Sequence, residues 1–331
     1  MGSIKLATFN VENLLQRFNF YSYGNLTKER SLELLGIDAQ NQDYMLLREA
    51  HTVMLTDDCR QQTAQAIRDT KADIICLQEV ENREILDDFN EFYLKRTMKL
   101  HYGWRRVIDG NDNRGIDVGV MSKNYIGVKS HAEITFAEFG LFNDDLKEYG
   151  LYEGDSIFRR DCLEVNLKVD GKPLTLFVCH FKSMSGDRDK TRCVREAEAK
   201  AVRKIIEDKF GSDVSNSDWV ILGDLNDYPT GNHALGALID DDFSVNLVTR
   251  LPKEEQWTHY YSQDKNDGKH QLDYILVSPG LAAKNPDEEP QIIRAGQPFR
   301  VPDIKVDRYP RIGLDRPKAS DHCPVAVNLE L

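Results

Sequence analysis

Six times along the chain, a short apolar run borders a residue that can bind a cation or handle a proton. Asn10 and Glu12 follow Phe9, Glu79 follows Ile74–Gln78, and His180 follows Phe177–Cys179. Asp224 and Asn226 follow Ile221–Gly223, Asp273 precedes Tyr274–Val277, and Asp321-His322 precedes Pro324–Val327. Strand ends from distant parts of a chain can converge on one sheet edge, which is how rigid scaffolds present reactive groups. These residue types suit hydrolysis of a phosphate ester. A phosphodiester is anionic and resists nucleophiles. A hard cation such as Mg²⁺ takes carboxylate and amide oxygens, polarises a phosphoryl oxygen and stabilises the leaving oxygen. Glu79 is the candidate direct ligand, with Asn10 and Asp321 beside it, and Mn²⁺ is the expected substitute ion. Asp224 suits a general base toward water. Asn226, two residues on, points the same way along an extended segment and suits a phosphate oxygen. His322 suits a donor to the phosphate, with Asp273 anchoring its second nitrogen.

The elements that must position these groups alternate between strands and helices. Apolar runs predict strands at Ile4–Asn10, Asp73–Leu77, Trp104–Ile108, Val118–Ser122, Ile134–Phe136, Trp219–Leu222, Gln271–Val277 and Pro324–Leu329. Cys162–Leu167 and Leu174–Cys179 flank Asp170-Gly171 and predict a hairpin. Helical spacing predicts helices from Asp57 or Asp58 to about Thr70, from Arg83 to Met98, and from Asp189 to Phe210. Residues 137–156 read as an acidic, glycine-bearing loop, and 16–55 as a surface insertion without a clean period. Hairpins among the strands favour mixed sheets over a purely parallel one.

Composition bounds the class. With 331 residues, 40% hydrophobic and 30% charged, the chain suits a globular protein with a sizeable core. The net charge of -12 argues against a nucleic-acid coat protein, whose affinity rests on Lys and Arg, but not against an enzyme with a local basic cleft. No C-x-x-C pair appears among the six cysteines, which excludes the usual structural zinc spacing, and reduced, buried thiols are expected. No apolar run reaches a membrane span, and Met1–Leu6 lacks an apolar signal core. The default placement is cytoplasmic; a leader removed ahead of Ser3 would make the protein secreted.

Thr8-Phe9-Asn10-Val11-Glu12-Asn13, Leu77-Gln78-Glu79-Val80-Glu81, His180-Phe181-Lys182-Ser183, Gly223-Asp224-Leu225-Asn226-Asp227, Leu272-Asp273-Tyr274 and Ser320-Asp321-His322-Cys323-Pro324 resemble, in order, the motifs of the endonuclease/exonuclease/phosphatase superfamily of deoxyribonuclease-like enzymes. The resemblance spans residues 4–329. It implies an α/β fold, a four-layer sandwich of two packed mixed β-sheets flanked by helices, with residues 1–331 as one domain. It implies that Glu79, Asn10 and Asp321 hold the metal, that Asp224, Asp273 and His322 are catalytic, and that Asn226 binds phosphate. His180 matches a second catalytic histidine of the deoxyribonuclease and sphingomyelinase branches, where the abasic-site nucleases use a tyrosine. Arg114-Gly115-Ile116-Asp117-Val118 resembles a segment of bacterial nuclease-like members and would bring Arg114 to a phosphate. Two departures stand out. The gap from Asn10 to Glu79 is long, and the Gly223–Asp227 motif lacks the arginine continuation of the inositol polyphosphate phosphatases.

The leading expectation is a metal-dependent nuclease acting on DNA or RNA. The alternative is a phosphodiesterase or phosphatase for a small molecule or lipid headgroup, sphingomyelinase-like, with the aromatic run Phe18, Phe20, Tyr21 and Tyr23 as its interface loop. A non-catalytic binding module would be signalled by loss of Asp224 or His322, and both are present. Residues 294–318 carry seven basic against three acidic side chains and are expected to form a substrate-guiding rim, with Arg192 and Arg195 contributing. Tyr309 is a candidate base-stacking residue, and Trp257 is expected in the core.

Overall fold

A computed structural model of the chain describes residues 2–14, 57–261 and 268–331. The expected insertion at 16–55, with its aromatic run, lies outside the described residues.

Two six-stranded mixed sheets face each other. The first runs β13 (Gln291–Ile292), β14 (Val325–Glu330), β1 (Ser3–Leu14), β2 (Ile74–Val80), β4 (Asp117–Ser122), β3 (Trp104–Val107). The second runs β5 (Gly127–Lys129), β6 (Cys162–Val169), β7 (Lys172–His180), β8 (Trp219–Asp224), β12 (Asp273–Val277), β9 (Val245–Asn246). A two-stranded ribbon of β10 (His259–Tyr260) and β11 (Lys269–His270) stands beside them.

Side chains alternate across a strand, so each sheet has two apolar faces to cover. In β1, Ile4 and Leu6 point between the sheets, whereas Ala7 and Phe9 pack outward with Ala64 and Ile67 of the helix at 57–70. In β8, Val220 and Leu222 join the inner core, whereas Trp219 and Ile221 pack on the helix Arg188–Phe210 through Ala201, Val202 and Ile205. Helix, sheet, sheet, helix is the four-layer α/β sandwich expected of the chain.

Parity also explains where the polar residues emerge. Asn10, His180, Asp224 and Asp273 each extend the inward-facing row of their own strand past its last apolar member, Leu6 (with polar Thr8 between), Val178, Leu222 and Ile275 respectively. Thr8 Oγ1 donates to Gln78 Oε1 at 3.3 Å where the core turns polar. β1 is parallel to β2, and β7 to β8, while β12 runs antiparallel to β8. The carboxyl ends of four strands and the amino end of β12 therefore meet at one rim.

Several local expectations change. Ile134–Phe136 is not a strand: Thr135 caps a short helix Phe136–Phe139 in a capping box with Glu138, a pairing that satisfies the free helix N–H groups. The loop at 137–156 holds a further helix, Asp144–Tyr149, capped by Asn143. The helix from Arg83 is α-helical to Asp88 and then widens into a π-helical stretch, Phe89–Thr97.

Gly223 decides how closely β7 and β8 pair. Its φ is +142°, and a Cβ there would overlap the carbonyl oxygen of Cys179. Gly223→Ala is therefore expected to cost more than about 3 kcal/mol, the combined scale of backbone strain and a core clash. Thermal and urea unfolding measure this, and an unchanged midpoint would show that the strands separate freely.

Candidate functional site

The rim residues form one bonded cluster. Asp224 is the hub, and it is 1% exposed. Its Oδ2 accepts from Asn10 Nδ2 and from Asn226 Nδ2, each at 3.1 Å, and its Oδ1 accepts from the Asn226 backbone N–H at 2.9 Å. His180 Nε2 and His322 Nε2 lie 3.5 and 3.8 Å from the same Oδ2. Asp224, Asp273 and His322 sit close enough for one ligand atom from each to surround a metal ion.

His322 is anchored from behind. Its Nδ1 donates to Asp273 Oδ2 at 2.8 Å, and the Thr258 hydroxyl donates to that same oxygen at 2.7 Å. Ser320 Oγ accepts the His322 backbone N–H and donates to the carbonyl of Asn10, tying the end of the chain to its beginning.

Glu79 arrives by a different route. The β1–β2 and β2–β4 registers shift at this point, and Glu79 adopts φ +67°, a conformation costing about 1–2 kcal/mol for a non-glycine residue. The bulge turns its carboxylate toward Asn10 Nδ2, 3.4 Å away, and toward the Asn13 N–H, 3.0 Å away. Burial and the neighbouring Asp321 carboxylate push Glu79 above the usual carboxylate range. Asp321 is held below that range despite its burial, because Lys318, His322 and His259 surround it. Glu12 binds Lys318 Nζ at 2.8 Å and Arg316 at 2.6 Å.

The two histidines are driven in opposite directions. Burial disfavours a charged His322, yet Asp273 and Asp224 outweigh it and hold the ring well above the usual histidine range. Burial, then Arg160, His322 and Arg114, press His180 well below it. Burial pushes the Asp224 carboxyl up to about 7, against the pull of His322 and with the help of Asp273. One charged histidine, one neutral histidine and a carboxylate poised near neutrality are the ingredients of paired acid–base chemistry.

The donors also suit a hard cation. Glu79 and Asp321 are acidic neighbours. The Asn10 amide oxygen accepts the Glu12 N–H at 3.0 Å and keeps a second lone pair for a cation. Asp273 Oδ1 and His180 Nδ1 are buried without a partner among the described residues.

The structure brings Asn10, Glu79, His180, Asp224, Asn226, Asp273 and His322 into contact, with Asp321 alongside. Asn226 spends both amide hydrogens, on Asp224 Oδ2 and on the Phe181 carbonyl, so in this arrangement it holds Asp224 in place. Arg114 stands at the rim, 61% exposed and paired to Asp112 at 2.9 Å.

The basic stretch is not a free rim. Arg294 and Lys305 bind Glu255, Arg300 binds Asp315, Arg311 binds Asp58, and Arg316 and Lys318 bind Glu12. Arg308 donates to three backbone carbonyls. Arg294, Lys305, Arg311, Arg316 and Lys318 tie the loop to the body, and Arg300 and Arg308 hold it to itself, with Lys305 and Arg311 still largely exposed to solvent. Arg195 is fully buried on Asp227, and Arg192 pairs with Glu196 along its own helix. Tyr309 is buried with its hydroxyl on Asp69, which removes it from base stacking. Trp257 is buried, as expected.

Sequence reasoning missed Arg160, Asp112, Thr258 and His259. Arg160 is 2% exposed, lies 2.9 Å from Asp112 Oδ2, and donates to the Phe181 carbonyl that Asn226 also uses. Asp112 thus clips Arg114 and Arg160 together, and Phe181 clips Arg160 to Asn226. The signal was a charged run, Arg159-Arg160-Asp161, between Ile157-Phe158 and Cys162-Leu163, where burial demands partners. The His259 ring lies 4.6 Å from that of His322, and burial with His322 nearby lowers it to about 3.

Solved structures share this architecture. An endonuclease/exonuclease/phosphatase family protein from Leptotrichia buccalis C-1013-b aligns over 99% of this chain and 100% of its own, at 13% identity and TM-score 0.55. The human Nocturnin catalytic domain with bound sulfate aligns over 99% and 94%, at 12% identity and TM-score 0.52. D. rerio TDP2 complexed with single strand DNA product aligns over 99% of both chains, at 14% identity and TM-score 0.52. No curated protein matches the chain in sequence. The sequence profile of the Endonuclease/Exonuclease/phosphatase family matches residues 54–308, well over half of the chain, and the protein belongs to that family.

Proposed function

We propose that the protein is a divalent-cation-dependent nuclease, acting as one domain, that hydrolyses phosphodiester bonds of DNA or RNA by attack of water. The observation that carries this is the bonded cluster around Asp224, in which a near-neutral carboxylate, a charged histidine and a neutral histidine share one buried rim. Mg²⁺, with Mn²⁺ as its substitute, would be held by Glu79, Asp321 and the Asn10 amide oxygen, and when bound supplies charge that polarises the phosphoryl group. The chain's residues do the rest. Asp224 takes the proton of the attacking water, kept in place by Asn10 and Asn226. His322 hands its proton to the departing alkoxide, and Asp273 keeps that ring charged and aligned. His180 and Arg114 would meet the phosphate oxygens, which suit a planar guanidinium fork, while Asn226 and Arg160, joined through the Phe181 carbonyl, hold the frame behind them and would reach a phosphate only by giving up those bonds. D. rerio TDP2 with its single strand DNA product supports a nucleic-acid substrate.

A second reading, a lipid phosphodiesterase, draws on the exposed Phe299 and Leu314 in the loop that leads into Asp321. No helix among the described residues is long and apolar enough to cross a membrane. The deciding experiment offers the purified protein, with Mg²⁺ or Mn²⁺, single-stranded DNA, duplex DNA, RNA, sphingomyelin vesicles and a chromogenic diester. Release of nucleotides from at least one nucleic acid is expected. Hydrolysis confined to sphingomyelin would replace the first reading with the second.

A further inference from the structure

Arg195 and Glu198 lie one turn apart on the helix Arg188–Phe210, and both are fully buried. Residues spaced by three share a helix face, and the rest of this face is apolar: Val194, Ala201, Val202 and Ile205 pack on the second sheet. Charges in such a place are costly unless each is paired and hydrogen-bonded. Their partners lie one step behind the groups of the Asp224 cluster.

β7 ends at His180, and its last bond to the neighbouring strand runs from the Phe181 N–H to the Asp224 carbonyl at 3.0 Å. The helix takes over from there. The Lys182 N–H donates to Glu198 Oε2 at 2.7 Å, and the Lys182 carbonyl accepts from Arg195 at 3.3 Å. Glu198 Oε1 accepts the Arg159 N–H at 3.0 Å, and Arg195 Nε donates to Asp227 Oδ2 at 3.2 Å. Each pinned residue adjoins one that serves the site: Arg159 precedes Arg160, Lys182 lies two past His180, and Asp227 follows Asn226. Only a carboxylate can accept both N–H groups, because an amide side chain offers one oxygen and turns a donor toward the other. Only a guanidinium forks to a carbonyl and a carboxylate at once.

Resting on the phosphodiester-hydrolysis reading, we propose that Arg195 and Glu198 are positioning residues, two pegs on one helix that act through Lys182 to aim His180 at the reacting phosphate. Glu198→Gln keeps the shape and leaves one N–H facing a donor. Its kcat on the chromogenic diester, per folded molecule, is expected to fall about tenfold with KM within roughly twofold of wild type, since a small misplacement is felt mainly in the transition state. The Mg²⁺-induced rise in Tm should persist, because Glu79, Asn10 and Asp321 lie outside the pinned segments. In a His180→Ala background the same change should cost less than about twofold, because the group it aims is gone. Arg195→Lys keeps a charge for Asp227 but loses the fork, and it carries the same cycle should Glu198→Gln fail to fold. A full tenfold loss in the His180→Ala background, or variants with lowered Tm and wild-type kcat per folded molecule, would overturn the positioning role and leave the hydrolase reading standing. A wild-type protein that hydrolyses no phosphodiester, chromogenic or nucleic, would remove that reading and the positioning role with it.

Discussion

Asp224→Asn and His322→Ala are each expected to lower kcat by about 10³-fold, within the span observed for general acid–base groups and preorganised donors. The two side chains hold opposite ends of one proton path. In His322→Ala, Asp273 keeps only the Thr258 hydroxyl on Oδ2, and Asp224 loses its nearest positive charge. In Asp224→Asn the shape survives, but either way round the new amide nitrogen meets a donor: the Asn10 and Asn226 side-chain amides at the Oδ2 position, or the Asn226 backbone N–H at the Oδ1 position. The substitution removes the base and also loosens the groups that aim it. The pH profile adds a separate check. Asp224 acts as a base only when charged, and burial sets its ionisation at about 7. Activity should therefore rise with pH up to that point, at a lower pH once a bound cation favours the charged form. The rise should vanish from the residual activity of Asp224→Asn. Wild-type turnover, or an unaltered acid limb, in that variant would assign the base to another group.

Excess EDTA is expected to abolish turnover, and Mg²⁺ or Mn²⁺ to restore it. The same cation should stabilise the fold. Glu79 and Asp224 both titrate above their ordinary range, because they are buried near other carboxylates. The folded chain thus keeps protons that the unfolded chain has released. For Asp224 that contribution is complete below its ordinary value of 3.8 and is lost as pH rises to about 7, so the cation-free protein weakens across that window. A cation at a hundred times its Kd adds about 2.7 kcal/mol. That raises Tm by roughly 4 °C in a protein of this size. Glu79→Gln removes one unneutralised carboxylate, so its Tm in EDTA should equal or exceed that of wild type, while the cation-induced rise disappears along with turnover. Differential scanning calorimetry at pH 8 with and without Mg²⁺ reads both. Full activity in EDTA would falsify the cation mechanism outright.

The sequence alone carried much of this. Short apolar runs marked the strands, because strands covered on both faces read as near-continuous hydrophobic segments. Those runs bordered Asn10, His180, Asp224 and Asp273, and the order of their motifs resembled a known family and so implied the fold, while the structure placed these residues at the open ends of inward-facing rows. Helical periodicity found the Arg188–Phe210 helix to within a residue at its start. What sequence could not decide was everything that depends on partners far away along the chain. Residues 294–318 look like a basic rim in composition, yet their charges are spent on Glu12, Asp58, Glu255 and nearby carbonyls. Arg195 shares the helix of Arg192 but turns inward to Asp227. Arg160 enters the site only because Asp112 and the Phe181 carbonyl, on two other loops, receive its guanidinium. Glu79 faces the cluster through a bulge that no strand period encodes. The physical reason is common to all four. Periodicity reports which side of an element is dry, a local property, whereas the fate of a charge is set by which opposite charge the packed layers bring within a few ångströms of it.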